Sequence, residues 1–442
     1  MTTSYLPYAP EQQMLLPSSL QDWLPEGHLA YFIHDTIDSL DLGAFYARYA
    51  KGGPRNQPFH PAMMVKVLVY GYATGVFSSR KLARKLHEDV AFRVLGAGNF
   101  PAHRTICEFR ALHLDELSGL FVQVVRLARE CGLVRLGTIA VDGTKIKANA
   151  SRHKAMSYAV MQRAEAELKE QIAALLARAR AADEAEHNEA ELDVPAEIAR
   201  RENRLAVIGA AKERLEQRQR EADAARGRTP DDERRAREDD GTPRRGPRYK
   251  REFGTPKPEA QESFTDTDSR IMKRTGGGFD YSYNAHAAVD DQAHIIIAAE
   301  LSNNAADSDR LAPLLQAVID CTGDLPGQVL ADAGFRAEAM FEQLKDCPVD
   351  LIVALGREGK AKLAIDALAY PHTAAMAAKL QTAAARAAYR RRKWLSEPPN
   401  GWVKNVLGFR QFSMRGLVKV KAEWRLVCAA LNLRRMASLM SV

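Results

Sequence analysis

The spacing of apolar positions along the chain changes several times, and each change predicts a change of structure. Residues 1–135 follow helical spacing. Pro61-Ala-Met-Met-Val-Lys-Val-Leu-Val-Tyr70-Gly-Tyr72 is apolar almost throughout, and Pro61 suits a first helical turn. Ser78-Ser79-Arg80-Lys81-Leu-Ala-Arg84-Lys85-Leu opens on a capping serine, and its cations fall between its apolar positions. A turn at Leu95-Gly-Ala-Gly-Asn-Phe-Pro101 leads to His103-Arg104-Thr105-Ile106-Cys-Glu-Phe109-Arg110, a second basic helix start. Two short helices around a Gly-containing turn have the layout of a helix-turn-helix. The same pattern fits a plain helical bundle with a solvated cationic face.

At residues 136–151 the pattern becomes that of a strand. Gly137-Thr-Ile-Ala-Val ends on Asp142-Gly143-Thr144-Lys145. Residues 152–262 are rich in Ala, Glu, Arg, Gln and Lys, which favours long helices. Asp193-Val-Pro195 predicts a turn between two of them, giving a helical hairpin that acts as a spacer, a dimer strut or a DNA-end contact. The Pro-, Gly- and charge-rich residues 226–247 are expected to be mobile.

From 263 onward the strands return. Phe279–Val289 alternates, Asp290-Asp291 can turn, and His294–Leu301 runs back as an antiparallel partner. Helices are expected at 307–320, 336–346 and 373–395. Between them lie two apolar strands, one ending in Asp332 and one at 349–354. With the insertion set aside, the order matches a ribonuclease-H-like mixed sheet. The fold class is therefore α+β and multidomain. A helical N-terminal domain (1–135) precedes a catalytic α/β domain (136–151 and 263–442) that the helical segment 152–262 interrupts.

The totals narrow the function. The chain has 442 residues and a formal net charge of +7, which favours a polyanionic partner. Its five cysteines form no C-x-x-C pair, so neither a zinc site nor a disulfide scaffold is expected. The first residues lack signal-peptide character, and no apolar run reaches the ~18 residues of a membrane span. A cytoplasmic protein is expected.

The candidate chemistry is acidic. Asp142 and Asp332 each end an apolar strand, and each is followed within two positions by a glycine, Gly143 or Gly334. Glu397 follows in the basic stretch Tyr389-Arg-Arg-Arg392-Lys-Trp-Leu-Ser-Glu397, which runs on to Lys404. Carboxylates suit Mg²⁺ or Mn²⁺, which prefer oxygen ligands and leave positions for substrate phosphate. Asp290, Asp291, Asp266 and Asp268 fit structural turns, and His286 fits a strand interior. From Lys379 to the end there are 14 Lys and Arg against two Asp and Glu, a balance suited to tracking DNA.

These segments together resemble the DDE transposases of bacterial insertion sequences. The resemblance lies in Asp142-Gly143-Thr144-Lys145, in Ala331-Asp332-Ala-Gly334-Phe335, and in the Tyr389, Arg392, Glu397 and Lys404 signature, where four residues rather than three separate Arg392 from Glu397. Phe59-His60-Pro61, Leu407–Leu417 and Asn432-Leu-Arg434 extend it over nearly the whole chain. It implies that Asp142, Asp332 and Glu397 bind two Mg²⁺, with Mn²⁺ able to substitute. It implies that Arg392 and Lys404 clamp phosphate and Tyr389 stacks on a base, with Lys145, Arg80, Arg104 and Arg110 as further DNA contacts. The implied partners are the element's ends and target DNA, held by a homodimer or larger assembly on the nucleoid. A related nuclease without strand transfer and a DNA-binding regulator without catalysis are the competing readings.

Overall fold

The computed structural model describes residues 19–49, 57–184, 194–230, 249–274, 276–356 and 365–440. Of the expected turn at residues 193–195, residue 193 lies outside them and a helix starts at Val194; of the expected mobile stretch at 226–247, residues 231–247 lie outside them. In chain order the first helices are α1 (Leu29–Ser39), α2 (Gly43–Ala47), α3 (Pro61–Ala73), α4 (Ser79–Glu88), α5 (Val90–Gly96), α6 (His103–Leu112) and α7 (Leu114–Glu130). Next come β1 (Thr138–Lys147), β2 (Ala155–Ser157), α8 (Tyr158–Glu184), α9 (Val194–Ala224), β3 (Gln261–Ser263), β4 (Arg270–Lys273), β5 (Phe279–Asp290) and β6 (Ile296–Ser302). The chain ends with α10 (Leu311–Thr322), β7 (Gln328–Ala331), α11 (Glu338–Gln343), β8 (Asp350–Val353), α12 (Pro371–Lys379), α13 (Ala383–Gly401) and α14 (Leu417–Met440).

The chain folds as two compact units, one of residues 1–146 with 284–442 and one of residues 147–283. In the first, the strands run β6, β5, β1, β7, β8. β1 and β7 are parallel, as are β7 and β8, whereas β5 and β6 are antiparallel. The N-terminal helices belong to this same unit. The reason is α14, whose apolar length packs against α3, α7 and β6 together. Its Trp424 indole donates to the His286 carbonyl (3.1 Å), and Asn432 bonds both backbone groups of Ile296. α14 thereby fixes the two strands that back the site.

The expected basic C-terminal surface is correspondingly smaller. In α14, Lys421 and Arg425 pair with Glu300, Arg434 donates to the Ala73 carbonyl, and Arg435 donates to that of Ala293. Those cations brace the fold rather than face a polyanion.

The helix-turn-helix reading also changes. Between α4 and α6 lies a further helix, α5, which begins directly after Asp89. The Asp89 carboxylate accepts from the Ala91 and Phe92 N–H groups, a capping signal that the reading of a bare Gly-containing turn passed over.

The second unit is built on α8 and α9, whose apolar faces meet through Met161, Leu168, Ile208, Ala211 and Leu215. Buried Glu262 on β3 receives Arg214 and Arg218 from α9. β2 pairs antiparallel with β3, and β4 with the start of β5. Asp266 accepts from the Tyr283 hydroxyl (2.8 Å), a structural place for that carboxylate.

Candidate active site

The register of the parallel pair builds the site. Thr138, Ile139 and Ala140 of β1 lie beside Gln328, Val329 and Leu330 of β7. The same offset carried along both strands sets Asp142 level with Asp332. Asp332 follows β7 directly and caps a short 3-10 turn, accepting from the Gly334 N–H (2.9 Å). Asp142 is not at a strand end as expected. β1 continues past it to Lys147, because the apolar alternation resumes at Ile146, which is fully buried.

Asp142 is the electrostatic centre. Burial raises its carboxyl to about 6, and the neighbouring Asp332 and Asp307 push the same way, against the pull of Arg392 and the Gly143 N–H. Its Oδ1 accepts from that N–H (2.9 Å), and its Oδ2 accepts from the Asn400 side chain (3.1 Å). Lys404 lies in the π-helical turn Trp402–Val406. Burial lowers its pKa, as do Arg410 and Lys145, while Asp142 opposes the shift.

α13 presents its side chains differently from the sequence expectation. Ser396, at the three-residue gap after Arg392, is buried and accepts from Arg392 (3.4 Å). Glu397, one step further round the helix, is more than half exposed and lies 3.9 Å from Lys393. The side chain that α13 brings to Asp142 is Asn400, which the sequence analysis missed. Helical spacing alone groups it with Arg392 and Ser396, at i, i+4 and i+8. Tyr389 packs against the cluster of Ala140, Leu330, Ile352, Ala385 and Leu395, with the Arg392 guanidinium 5.8 Å from its ring centroid. Pro398 lacks the N–H that would bond the Trp394 carbonyl, and the His294 ring faces that carbonyl at 3.3 Å. A helix with two prolines followed by a π-helical turn is held less firmly by its own ladder, a common feature at functional sites.

The remaining expected contacts divide. Lys145, Arg80 and Arg104 are exposed. Arg110 is not available to DNA. It is buried, and its guanidinium donates to the Tyr72 hydroxyl (2.8 Å), Ser79 Oγ (2.8 Å), Ser413 Oγ (3.0 Å) and the Phe77 carbonyl (3.0 Å). Asp290, buried, accepts from the N–H groups of Leu136 and Gln292, and Asp291 pairs with Arg391.

A second residue missed in the sequence is Asp307, in the loop after β6. Burial opposes its ionisation, but hydrogen bonds from His286 (2.8 Å) and Asn284 (2.7 Å), with nearby Lys145, hold its carboxyl below the usual range. The signal was faint: two aspartates in a polar loop with no periodic neighbour.

The donor chemistry suits a divalent cation. The carboxylates near Asp142, those of Asp332 and Asp307, offer hard oxygens, and burial, the first cause of the raised Asp142 value, leaves that carboxylate to gain from a cation. Among the described residues no three His, Cys, Asp or Glu side chains already converge as a closed metal cage. An open pair of aspartates is nonetheless enough for an ion that keeps water and substrate phosphate as ligands.

Two parallel strands of the mixed sheet bring Asp142 and Asp332 together, with Arg392 and Lys404 in electrostatic reach of Asp142, a charge pattern that suits a phosphate-bearing substrate. Residues 232–433 match the transposase DDE domain, and residues 18–112 match a transposase domain (DUF772). The chain belongs to the DDE transposases of insertion sequences, divalent-metal-dependent enzymes of DNA cleavage and transfer. The matched DDE segment contains Asp332 and Glu397, while Asp142 lies N-terminal to it. No curated protein and no solved structure matches the chain. No helix among the described residues is long and apolar enough to cross a membrane.

Proposed function

We propose that this transposase cleaves the ends of its insertion sequence and joins the freed 3′-OH ends to target DNA from a ribonuclease-H-like core. The strand order β6, β5, β1, β7, β8 supports that fold, since removal of residues 147–283 leaves three consecutive strands followed by two parallel ones. The observation that carries the function is the juxtaposition of half-buried Asp142 with Asp332, within electrostatic reach of Arg392 and Lys404.

Asp142 and Asp332 hold Mg²⁺, with Mn²⁺ able to substitute, and Glu397 is the third carboxylate. When bound, the cations supply activation of the attacking oxygen and neutralisation of charge on the leaving oxygen. Asn400 orients the Asp142 carboxylate. Arg392 and Lys404 grip the phosphate flanking the cut, and Lys145 extends that grip along the backbone. Tyr389 supports the Arg392 guanidinium and stacks on a base near the cut. Arg80 and Arg104 contact end DNA from α4 and α6. Glu397 joins the aspartates by a readjustment of α13 at Pro398 and Pro399 once DNA supplies phosphate. Pairing two ends calls for at least a dimer, acting on chromosomal DNA in the cytoplasm.

The test is cleavage of DNA carrying the native ends in Mg²⁺ or Mn²⁺. Wild type is expected to cut, and Asp142→Ala, Asp332→Ala and Glu397→Gln are each expected to lose cleavage while still binding the ends. Full cleavage by Glu397→Gln would remove Glu397 from the triad. End binding by wild type without cleavage would favour a regulator. Cleavage without joining would favour a nuclease.

A further inference from the structure

We propose that Asp307 is a further metal-facing carboxylate of this site, held in position by Asn284 and His286. The proposal rests on the transposase reading above and adds a residue to it.

Three observations lead there. The first is placement. A Cβ on Gly143, next to Asp142, would lie 2.8 Å from Asp307 Oδ1, 3.1 Å from the His286 ring and 3.3 Å from Asn284 Oδ1. A Cβ on Gly334, two residues after Asp332, would lie 2.9 Å from Asp307 Oδ2 and 3.0 Å from Asp332 Oδ1. Two carboxylate oxygens from different elements therefore approach one point, and glycine at both positions leaves the room for it. Asp307 sits against the neighbours of both strand aspartates.

The second is division of labour within the carboxylate. Oδ1 is taken by Asn284 Nδ2 (2.7 Å) and His286 Nε2 (2.8 Å), both from β5, whose position is fixed by the Trp424 bond to the His286 carbonyl. Oδ2, the oxygen on the Asp332 side, has no hydrogen-bond donor among the described residues. An orienting bond to one oxygen with the other left open is how outer partners aim a ligating carboxylate.

The third is independent of charge. Asn284 is fully buried, and its Oδ1 has no donor among the described residues. Rotation of the amide does not cure this, because the groups at Nδ2 are the Asp307 carboxylate and the Asn304 carbonyl (3.2 Å), which only accept. A buried amide oxygen without a partner costs about 1–3 kcal/mol. It faces Gly143, where the water shell of a bound cation would supply the missing donor.

The experiment titrates Mn²⁺ into DNA-free full-length protein, reading bound ion by electron paramagnetic resonance and stability by thermal melting. Cleavage of end DNA is followed in parallel against Mg²⁺ concentration. Asp307→Asn is expected to weaken Mn²⁺ binding about tenfold or more and to shift half-maximal cleavage to higher Mg²⁺, with partial rescue at saturating metal. Asp307→Glu keeps the charge but moves the oxygens, and is expected to fall between. Wild-type Mn²⁺ binding in Asp307→Asn, with only a lowered melting point, would overturn the proposal and leave a purely structural role. If Asp307→Asn does not fold, a wild-type metal midpoint in Asp307→Glu overturns it equally. Asp142→Asn separates the two levels. Loss of Mn²⁺ binding there but not at Asp307 defeats this inference alone. Undiminished Mn²⁺ binding in Asp142→Asn defeats the functional reading beneath it.

Discussion

Asp142→Asn is expected to destroy DNA cleavage while making the metal-free protein more stable at neutral pH. The loss of activity should be on the order of 10³-fold or more, about 4 kcal/mol of transition-state stabilisation. The gain in stability follows from burial of the carboxyl. In the unfolded chain the group titrates near 3.8, and in the folded protein at about 6. Below pH ~4 it is protonated in both states and costs nothing. Between pH ~4 and ~6 the unfolded chain ionises while the folded carboxyl holds its proton, so the penalty grows across that window and is complete above it. That pKa difference corresponds to roughly 3 kcal/mol, which partial solvent access and the bond from Asn400 reduce to about 1–2. Urea denaturation in EDTA should therefore show the Asp142→Asn variant ahead of wild type at pH 7.5 and the difference gone near pH 4. Added Mn²⁺ should reverse the order, because only wild type has the charge that the ion stabilises. Equal stability of the two proteins at pH 7.5 would mean that Arg392 and Lys404 already balance Asp142.

Much of that site was legible before the structure. Ile139-Ala-Val141 and Val329-Leu-Ala331 are short apolar runs ending in aspartate. Buried parallel strands are expected to read that way, so Asp142 and Asp332 could be picked out. What local pattern cannot carry is pairing across distance. Asp307 matters because β5 delivers Asn284 and His286 to it, and nothing in Asn303-Asn304-Ala-Ala-Asp307 announces those partners. Asn400 matters because α13 turns it toward β1, more than two hundred and fifty residues away in sequence. The offset of Glu397 from the three-residue spacing was visible in the sequence. Its consequence, that Ser396 is buried while Glu397 faces outward, needed the position of the helix on the sheet.

Arg110 shows the opposite failure, and it yields the second large effect. Cations at a helix start read as a DNA-facing surface, because Arg is so rarely buried without partners. Here the partners come from the far end of the chain. Glu423 of α14 accepts from the Tyr72 hydroxyl (2.9 Å) and from the Ser413 and Met414 N–H groups, while Arg110 donates to that same hydroxyl and to Ser413 Oγ. Arg110 and Glu423 thus share two bridging groups in a buried network joining α3, α6 and α14. Removing one charge leaves the other buried and uncompensated, at a cost of about 3–5 kcal/mol. Arg110→Met is therefore expected to lower the unfolding free energy by that amount. End-DNA binding by the remaining folded protein should keep its dependence on salt. Arg80→Ala and Arg104→Ala should do the reverse. Each is expected to leave stability within about 0.5 kcal/mol and to reduce the slope of log affinity against log salt by about 1. Measuring both quantities on the three variants separates a cation that holds the helices together from cations that hold the substrate. A reduced salt slope in folded Arg110→Met would return Arg110 to the DNA surface and leave its buried bonds without an energetic role.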